Sequence, residues 1–219
     1  MRSVRSALAF VIVSGYGLGA AALFVGLPDQ VPPAWPGAAA GRFSLGALMV
    51  AFLLPTAVAL TDALLRGLCI KHPLEGAGSP GLAIYDAIMF RFAVFVVAVH
   101  ATVLLGVLGL LSGRDWAGQL VPVMLGLAMI SIGNLLPRTR PNLAVGIRTR
   151  ATLSDRALWM RTHRAVGYLA VAVGLVIVVS AIALPPPIGR TMVLIVGPAG
   201  LLGTGYLVRY SRTHVHGNR

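Results

Sequence analysis

The stretch GNLLPRTRPNLAVGIRTRATLSDRALWMRTHRAVG runs from Gly133 to Gly167. It carries seven arginines, yet it joins two runs that are apolar enough to span a membrane. A solvated basic loop needs only charge, whereas this one also places prolines, an asparagine, a glycine, a tryptophan and a histidine among its arginines. The pattern therefore predicts a connection that is folded against the membrane.

The composition around this stretch is that of a membrane protein. The chain has 219 residues, of which 57% are hydrophobic and 11% charged, and its mean hydropathy is +0.85. A soluble domain carries about 25% charged residues, and a membrane span needs about 20 apolar ones. Because backbone in lipid must satisfy its own hydrogen bonds, we predict an all-α integral membrane protein. Its six transmembrane helices are expected at about 7–26, 44–63, 88–111, 119–136, 164–184 and 190–208.

The distribution of positive charge predicts the orientation of these helices. Six spans place both termini and two connections on one side, which then holds all Lys and Arg except Arg42, Arg114 and Arg190. Cytoplasmic segments carry the Lys/Arg excess, so we expect both termini, and the loop between helices 4 and 5, in the cytoplasm. The net charge of +12 then reflects topology, with membrane lipid as the partner. No nucleic-acid recognition module accompanies the charge, so no direct nucleic-acid binding is expected.

The apolar runs and their connections divide the chain into four regions. Residues 1–87 form a two-helix membrane region with a Pro-rich extracytoplasmic loop, and residues 88–118 hold the third helix. Residues 119–209 contain helix 4, the basic connection and helices 5 and 6, and residues 210–219 form a basic cytoplasmic tail. The first apolar run is longer than the core of a signal peptide, so we expect an uncleaved signal anchor.

The basic connection contains signals for local structure. Pro137 and Pro141 end the fourth helix, because proline lacks an N–H donor and restricts the residue before it. Gly146 is the first candidate for a turn with positive φ, and Asn142 is the second. Asn134, just before the connection, bonds across helices, satisfies the broken backbone near Pro137, or contacts a ligand.

A new helix is expected to begin late in the connection. Ser154 fits the N-cap position, with Asp155 in the first turn, where a negative charge favours the helix dipole. Leu153 and Leu158 then have the spacing of a hydrophobic staple, and Trp159 is placed to anchor at the membrane interface.

A few polar residues lie within the apolar runs. Asp62 is expected to pair with Arg66, one helical turn away, although acids within a membrane are functional candidates by default. His100 serves either a proton relay or a hydrogen-bonded packing contact. Arg91 pairs with Asp86 or extends its guanidinium toward the cytoplasmic surface.

The sequence lacks the patterns expected of catalytic or metal sites. Its six acids are scattered and form no carboxylate pair for acid–base chemistry. The His-Val-His at residues 214–216 has neither a third ligand nor a defined geometry. We therefore expect no enzyme activity, no catalytic residue, no metal and no cofactor.

The pattern in the basic connection resembles the signature of the SdpI family of bacterial membrane proteins. The resemblance covers about 119–184 and rests on an ordered, ungapped set of residues: Gly133, Asn134, Pro137, Arg140, Pro141, Asn142, Gly146, Ile147, Arg148, Thr149, Thr152, Leu153, Ser154, Asp155, Trp159, Thr162, His163, Arg164 and Gly167.

The front half is similar, more weakly, to a domain of unknown function that often precedes this signature. Leu27, Pro28, Asp29, Pro32 and Trp35 match its pattern. The position of the family's histidine holds Ala34, and a following asparagine-like position holds Pro36. Any role that depends on that histidine does not transfer to this chain.

The family resemblance implies a multi-pass protein of the bacterial plasma membrane. It also implies immunity to a peptide toxin, or signalling of a membrane-active toxin to a cytoplasmic transcriptional repressor, with residues 137–164 as the partner platform. We call these residues the signature loop. The alternative is a small proton-coupled transporter or exporter, in which Asp62, His100 and Asn134 line a path.

The candidate site follows from these readings. Within the loop we expect Arg148, Asn142, Trp159 and His163 to organise the structure, whether they build a fold or a binding site. Arg148 follows a turn, where its guanidinium is placed to hold carbonyls or a carboxylate. The full candidate set comprises the loop positions Asn134, Pro137, Arg140, Pro141, Asn142, Gly146, Arg148, Thr149, Ser154, Trp159, His163 and Arg164, together with the intramembrane residues Asp62, Arg91 and His100.

Overall fold

The computed structural model describes residues 2–27, 45–71, 80–111 and 116–216. These residues form α-helices, turns and irregular segments, and contain no strand. The elements in chain order are α1 (Arg2–Val25), α2 (Leu45–Lys71), α3 (Pro80–Val107), α4 (Trp116–Gly133), a 3₁₀ turn (Leu136–Arg138), α5 (Arg150–Ser154), α6 (Arg156–Ala183) and α7 (Pro186–His216).

Five helices are long and apolar enough to cross a membrane. Their apolar segments are Val4–Val25, Leu45–Leu68, Leu82–Val107, Gln119–Arg138 and Arg156–Ala183. The apolar part of α7 is shorter and runs from Val193 to Tyr206. The chain is therefore an all-helical, multi-pass membrane protein, while the sixth span and the orientation stay predictions.

The bounds of the helices differ from those of the apolar runs that predicted them. The third helix begins at Pro80 rather than at residue 88 and ends at Val107, and α6 begins eight residues before the expected fifth span. In α3 the extra turns carry Asp86, which an ion pair stabilises. Helix α7 continues to His216, so most of the expected tail is helical.

The first three helices pack together, α4 packs mainly with α6, and α6 also packs with α7. Contacts between α3 and α4 join the two groups. The same three front helices supply a buried apolar cluster in which Leu8, Val58 and Met89 take part.

Paired glycines bring α4 and α6 into backbone contact. A Cβ atom added to Gly126 would lie 2.6 Å from the Gly174 carbonyl oxygen, and one added to Gly174 would lie 2.6 Å from that of Gly126. One heptad away, a Cβ atom on Gly167 would lie 2.7 Å from the Gly133 oxygen. Small residues allow helices in a membrane to gain van der Waals contact at short range. This packing holds the two ends of the signature loop in place.

Candidate functional site

The signature loop leaves α4 through a short 3₁₀ turn. Pro137 sits in its first turn, where the missing N–H is not needed. The backbone then becomes extended at Thr139, whose hydroxyl donates to the Leu136 carbonyl at 2.7 Å. Arg140 precedes Pro141, a position that disfavours helix. The two prolines therefore act as predicted, since α4 does not continue past this point.

Asn142 shapes the tip of the loop. Its Oδ1 accepts from the backbone N–H groups of Ala144, at 2.9 Å, and Val145, at 2.7 Å. Its Nδ2 donates to the Arg140 carbonyl at 2.7 Å. All the backbone groups that it binds are within three residues, as in an Asx turn. No non-glycine residue described here has positive φ, so Asn142 is a hydrogen-bonding residue of the turn and not its left-handed position.

The tip that Asn142 shapes packs against the front half of the protein. Ala144 is buried in a cluster with Leu8 of α1, Val58 of α2 and Tyr85 of α3, and Val145 packs beside it. The tip of the signature loop therefore shares a buried cluster with residues of all three front helices, although it belongs by sequence to the back half.

Gly146 is required both for its backbone conformation and for its lack of a side chain. Its φ is +113°, which L side chains rarely adopt. A Cβ atom here would lie 2.2 Å from Nε2 of His163. The positive-φ turn predicted for this position is confirmed, and its close neighbour is the histidine of the same signature.

Trp159 and His163, one turn apart on α6, form the centre of the loop. Both are buried, and their rings stack at 3.9 Å between centroids with 16° between planes. The Trp159 indole Nε1 donates to the carbonyl oxygen of Thr139 at 3.1 Å. Trp159 is thus a buried support for the loop exit, and not the exposed interfacial anchor that the sequence predicted.

The hydrogen bonds of His163 assign its protonation state. The Ile147 backbone N–H donates to Nε2 at 3.0 Å, so Nε2 is an acceptor. Nδ1 lies 2.9 Å from the Trp159 carbonyl oxygen and therefore carries the proton that it donates there. The ring is neutral, because both nitrogens of a charged imidazolium are donors. His163 thus ties the irregular segment after Gly146 to α6, and neither ring nitrogen is left for acid–base chemistry.

The helix start within the loop differs from the prediction. Thr149 caps α5 and forms a reciprocal capping box with Thr152, whose hydroxyl also donates to the Ile147 carbonyl at 2.7 Å. Ser154 is the last residue of this one-turn helix, so its predicted N-cap role is wrong. Asp155 is the N-cap of α6 and accepts from Ala157 and Leu158 at 2.8 and 3.1 Å. Because Ser154 then occupies the N′ position, the predicted hydrophobic staple of Leu153 and Leu158 is also wrong.

Most arginines of the loop are exposed. Nη1 of Arg148 donates to the Leu143 carbonyl, as predicted for a guanidinium beside the turn, although the side chain is exposed. Arg140 is half-buried. The exposed arginines of the loop form a surface that we call the basic face: Arg138, Arg148, Arg150, Arg156, Arg161 and Arg164.

A second polar cluster lies where the loop tip meets the front helices. Arg5 pairs with Asp62 through Nη1–Oδ1 at 2.9 Å and Nη2–Oδ2 at 2.7 Å, while the Tyr85 hydroxyl donates to Oδ1 at 3.1 Å. Arg66 pairs with Asp86 at 2.5 Å. The expected Asp62–Arg66 pair is therefore wrong, because a closer cation on α1 occupies Asp62. We call these five residues the ionic cluster.

The other intramembrane candidates are dispersed. Arg91 does not pair with Asp86; its Nε donates to Ser131 at 2.8 Å and its Nη1 to the Ala87 carbonyl at 2.9 Å. His100 is fully buried in α3, where its ring faces the backbone of Gly15 and Ala51 but makes no well-aligned hydrogen bond. Asn134 has an exposed side chain beyond the end of α4.

Sequence reasoning missed Arg5, Tyr85 and Thr139 as site residues. The only signal for Arg5 was a cation near an apolar run, which indicates topology as readily as an ion pair. Among the described residues, no three His, Cys, Asp or Glu side chains are grouped as a metal site requires.

Comparison with known proteins identifies the region around the signature. Residues 138–209, about a third of the chain, match the SdpI/YfhL protein family. The match begins at Arg138, so Asn134 and Pro137 lie just before it. No curated protein and no solved structure matches the chain. The weaker front-half resemblance stays a prediction, and its positions after Leu27 lie outside the described residues.

Proposed function

Because residues 138–209 match the SdpI/YfhL family, we propose that the protein gives immunity to, or signals the presence of, a membrane-active toxin in the bacterial plasma membrane. It acts without catalysis. The toxin is a peptide that acts on the bilayer, and the signature loop is the platform for a cytoplasmic partner such as a transcriptional repressor.

One observation carries this proposal: the signature loop has a buried, neutral interior and an arginine-rich exterior. Trp159 and His163 use their polar ring atoms inside the loop, so the interior has a structural role. The side chains of the basic face are exposed. Guanidinium groups bind carboxylates in a planar, multi-donor geometry, which suits recognition of a partner protein.

The position of the loop tip supports a route for signalling. Ala144 lies in one buried cluster with residues of α1, α2 and α3, among them Tyr85 of the ionic cluster, and Val145 packs against that cluster. A toxin that shifts these helices in the membrane would change the packing of the loop tip against them. The basic face would then move together with the tip. A packed interface of this kind transmits a shift when it has two discrete arrangements.

A matched pair of variants tests the platform. Arg148 and Arg150 are both exposed, but Arg148 also donates to the Leu143 carbonyl. Lysine keeps the charge but not the planar guanidinium, and a lost hydrogen bond costs about 1 kcal/mol. We expect Arg148→Lys to lower survival severalfold under a panel of membrane-active peptides, and Arg150→Lys to match wild type at equal membrane abundance. Equal survival of the two variants would show that Arg148 contributes only charge.

A proton-coupled transporter is the second candidate, and His100 favours it. A fully buried imidazole without a well-aligned hydrogen bond is costly unless it has a role. Against this, Arg5 and Tyr85 already occupy Asp62. If the protein is a transporter, His100→Ala abolishes protection at normal membrane abundance. Under the immunity proposal we expect a partial effect at most.

A further inference from the structure

A groove between α3 and α4 combines an apolar floor with a single cation at one end. Its volume is about 270 Å³, and its lining includes Phe95 and Ala98 of α3 and Leu127 and Ala128 of α4. Arg91 and Ser131 are the polar side chains of the lining. Leu127 is 53% exposed, so the groove opens on the outer surface of the helices, where lipid lies.

Arg91 is held at the end of this groove with hydrogen-bonding capacity to spare. Its Nε donates to the Ser131 hydroxyl and its Nη1 to the Ala87 carbonyl. Guanidinium has five N–H donors, so these contacts leave donors for a further acceptor. Among the described residues, no carboxylate lies within ion-pair distance of Arg91. An unpaired charge at this depth is expensive and indicates a function.

The dimensions of the groove match one lipid chain. Arg91 and Ala98 are seven residues apart on α3, which corresponds to about 10 Å along the helix. One leaflet contributes about 15 Å of hydrocarbon, so the groove fits within a single leaflet. The guanidinium bonds to Ala87, one turn nearer the start of α3, and therefore points toward the end of the membrane span.

We propose that this groove is a binding site for one anionic phospholipid, whose phosphate meets Arg91 beside Ser131 and whose acyl chain lies along α3 and α4. Charge complementarity selects this occupant. A further apolar helix would leave the remaining guanidinium donors unsatisfied, whereas a phosphate accepts them with two or more oxygens. The site is separate from the signature loop and does not depend on the function proposed for it.

Native mass spectrometry of the delipidated full chain, titrated with phosphatidylglycerol or phosphatidylethanolamine, tests the site. Both lipids offer a phosphate, but only phosphatidylethanolamine also brings an ammonium group, which Arg91 repels. We therefore expect one phosphatidylglycerol to bind about tenfold more tightly than phosphatidylethanolamine. Arg91→Met should remove this preference. Arg161→Met is the matched control, because Arg161 is exposed on α6 and does not line the groove.

A second variant keeps the charge and removes the space. Ala128→Phe fills the groove while Arg91 stays, and it should abolish tight binding of phosphatidylglycerol. If Arg91→Met does not elute as a single species in size-exclusion chromatography, Ala128→Phe tests whether the groove binds the lipid. Equal retention of the two lipids by wild type, an equal loss in Arg161→Met, or unchanged binding in Ala128→Phe would overturn the proposal.

Discussion

Two neighbouring polar regions of this protein satisfy their buried groups in different ways. The interior of the signature loop is neutral: Thr139, Thr152 and His163 are buried and bonded mostly to backbone atoms. The ionic cluster is charged, and its two carboxylates, Asp62 and Asp86, are 4% and 3% exposed. In the loop, many weak hydrogen bonds satisfy the buried polar groups, whereas in the ionic cluster a few strong ion pairs do so. A single substitution is therefore expected to cost more in the cluster.

Arg5→Met is expected to have the largest effect on stability. It leaves the Asp62 carboxylate buried without its cation, and breaking a buried pair from one side costs about 3–5 kcal/mol, of which the part-exposed Arg5 will show the lower end. Unfolding of the purified protein in mixed micelles measures this. The double variant Arg5→Met/Asp62→Leu should recover part of the loss, because no buried charge is left unpaired. A double variant as unstable as the sum of the single ones would contradict the pairing.

Gly146→Ala is expected to cost less in total but to open the loop. The positive φ and the contact with His163 together oppose a Cβ atom, and we expect a loss of about 2 kcal/mol. Hydrogen exchange of the Ile147 amide should accelerate, because its bond to His163 is lost. Gly17→Ala is the control, since a Cβ atom there meets nothing within 4 Å. Unchanged protection of the Ile147 amide would argue against the His163 contact.

Trp159→Phe is expected to have the smallest effect of the three. Phenylalanine keeps a ring against His163 but cannot donate to Thr139, and one such bond is worth about 1 kcal/mol. The same unfolding assay should show this decrease and no loss of helix content by circular dichroism. A decrease as large as that of Arg5→Met would mean that the loop is not the more tolerant region.

The sequence predicted best what depends on short-range contacts. Asn142 binds backbone within three residues, and Gly146 meets the conformational need that only glycine satisfies readily. The wrong prediction of Ser154 as an N-cap also has a local cause. The capping box of Thr149 and Thr152 starts an additional helical turn, so the N-cap of α6 is Asp155. Residue type indicates each of these motifs, and only its register is uncertain.

The sequence did not predict the contacts between residues that are far apart along the chain. Arg5 and Asp62 are 57 residues apart, and nothing in either segment favours this partner over Arg66, which lies one turn away on the same helix. The burial of Ala144 in a cluster with residues of α1, α2 and α3 could not be predicted either, because an alanine–valine pair gives no sequence signal for a particular partner. Such contacts depend on how the helices pack, which hydropathy does not specify.

We propose that protection depends on the conformation of the signature loop, and not on its charge alone. Gly146→Ala tests it most directly, because it changes no charge and lies inside the loop. Survival under a panel of membrane-active peptides, at matched membrane abundance, should fall to the level of cells without the protein, while Gly17→Ala protects like wild type. Full protection by Gly146→Ala, with the Ile147 amide shown to be open, would contradict the claim.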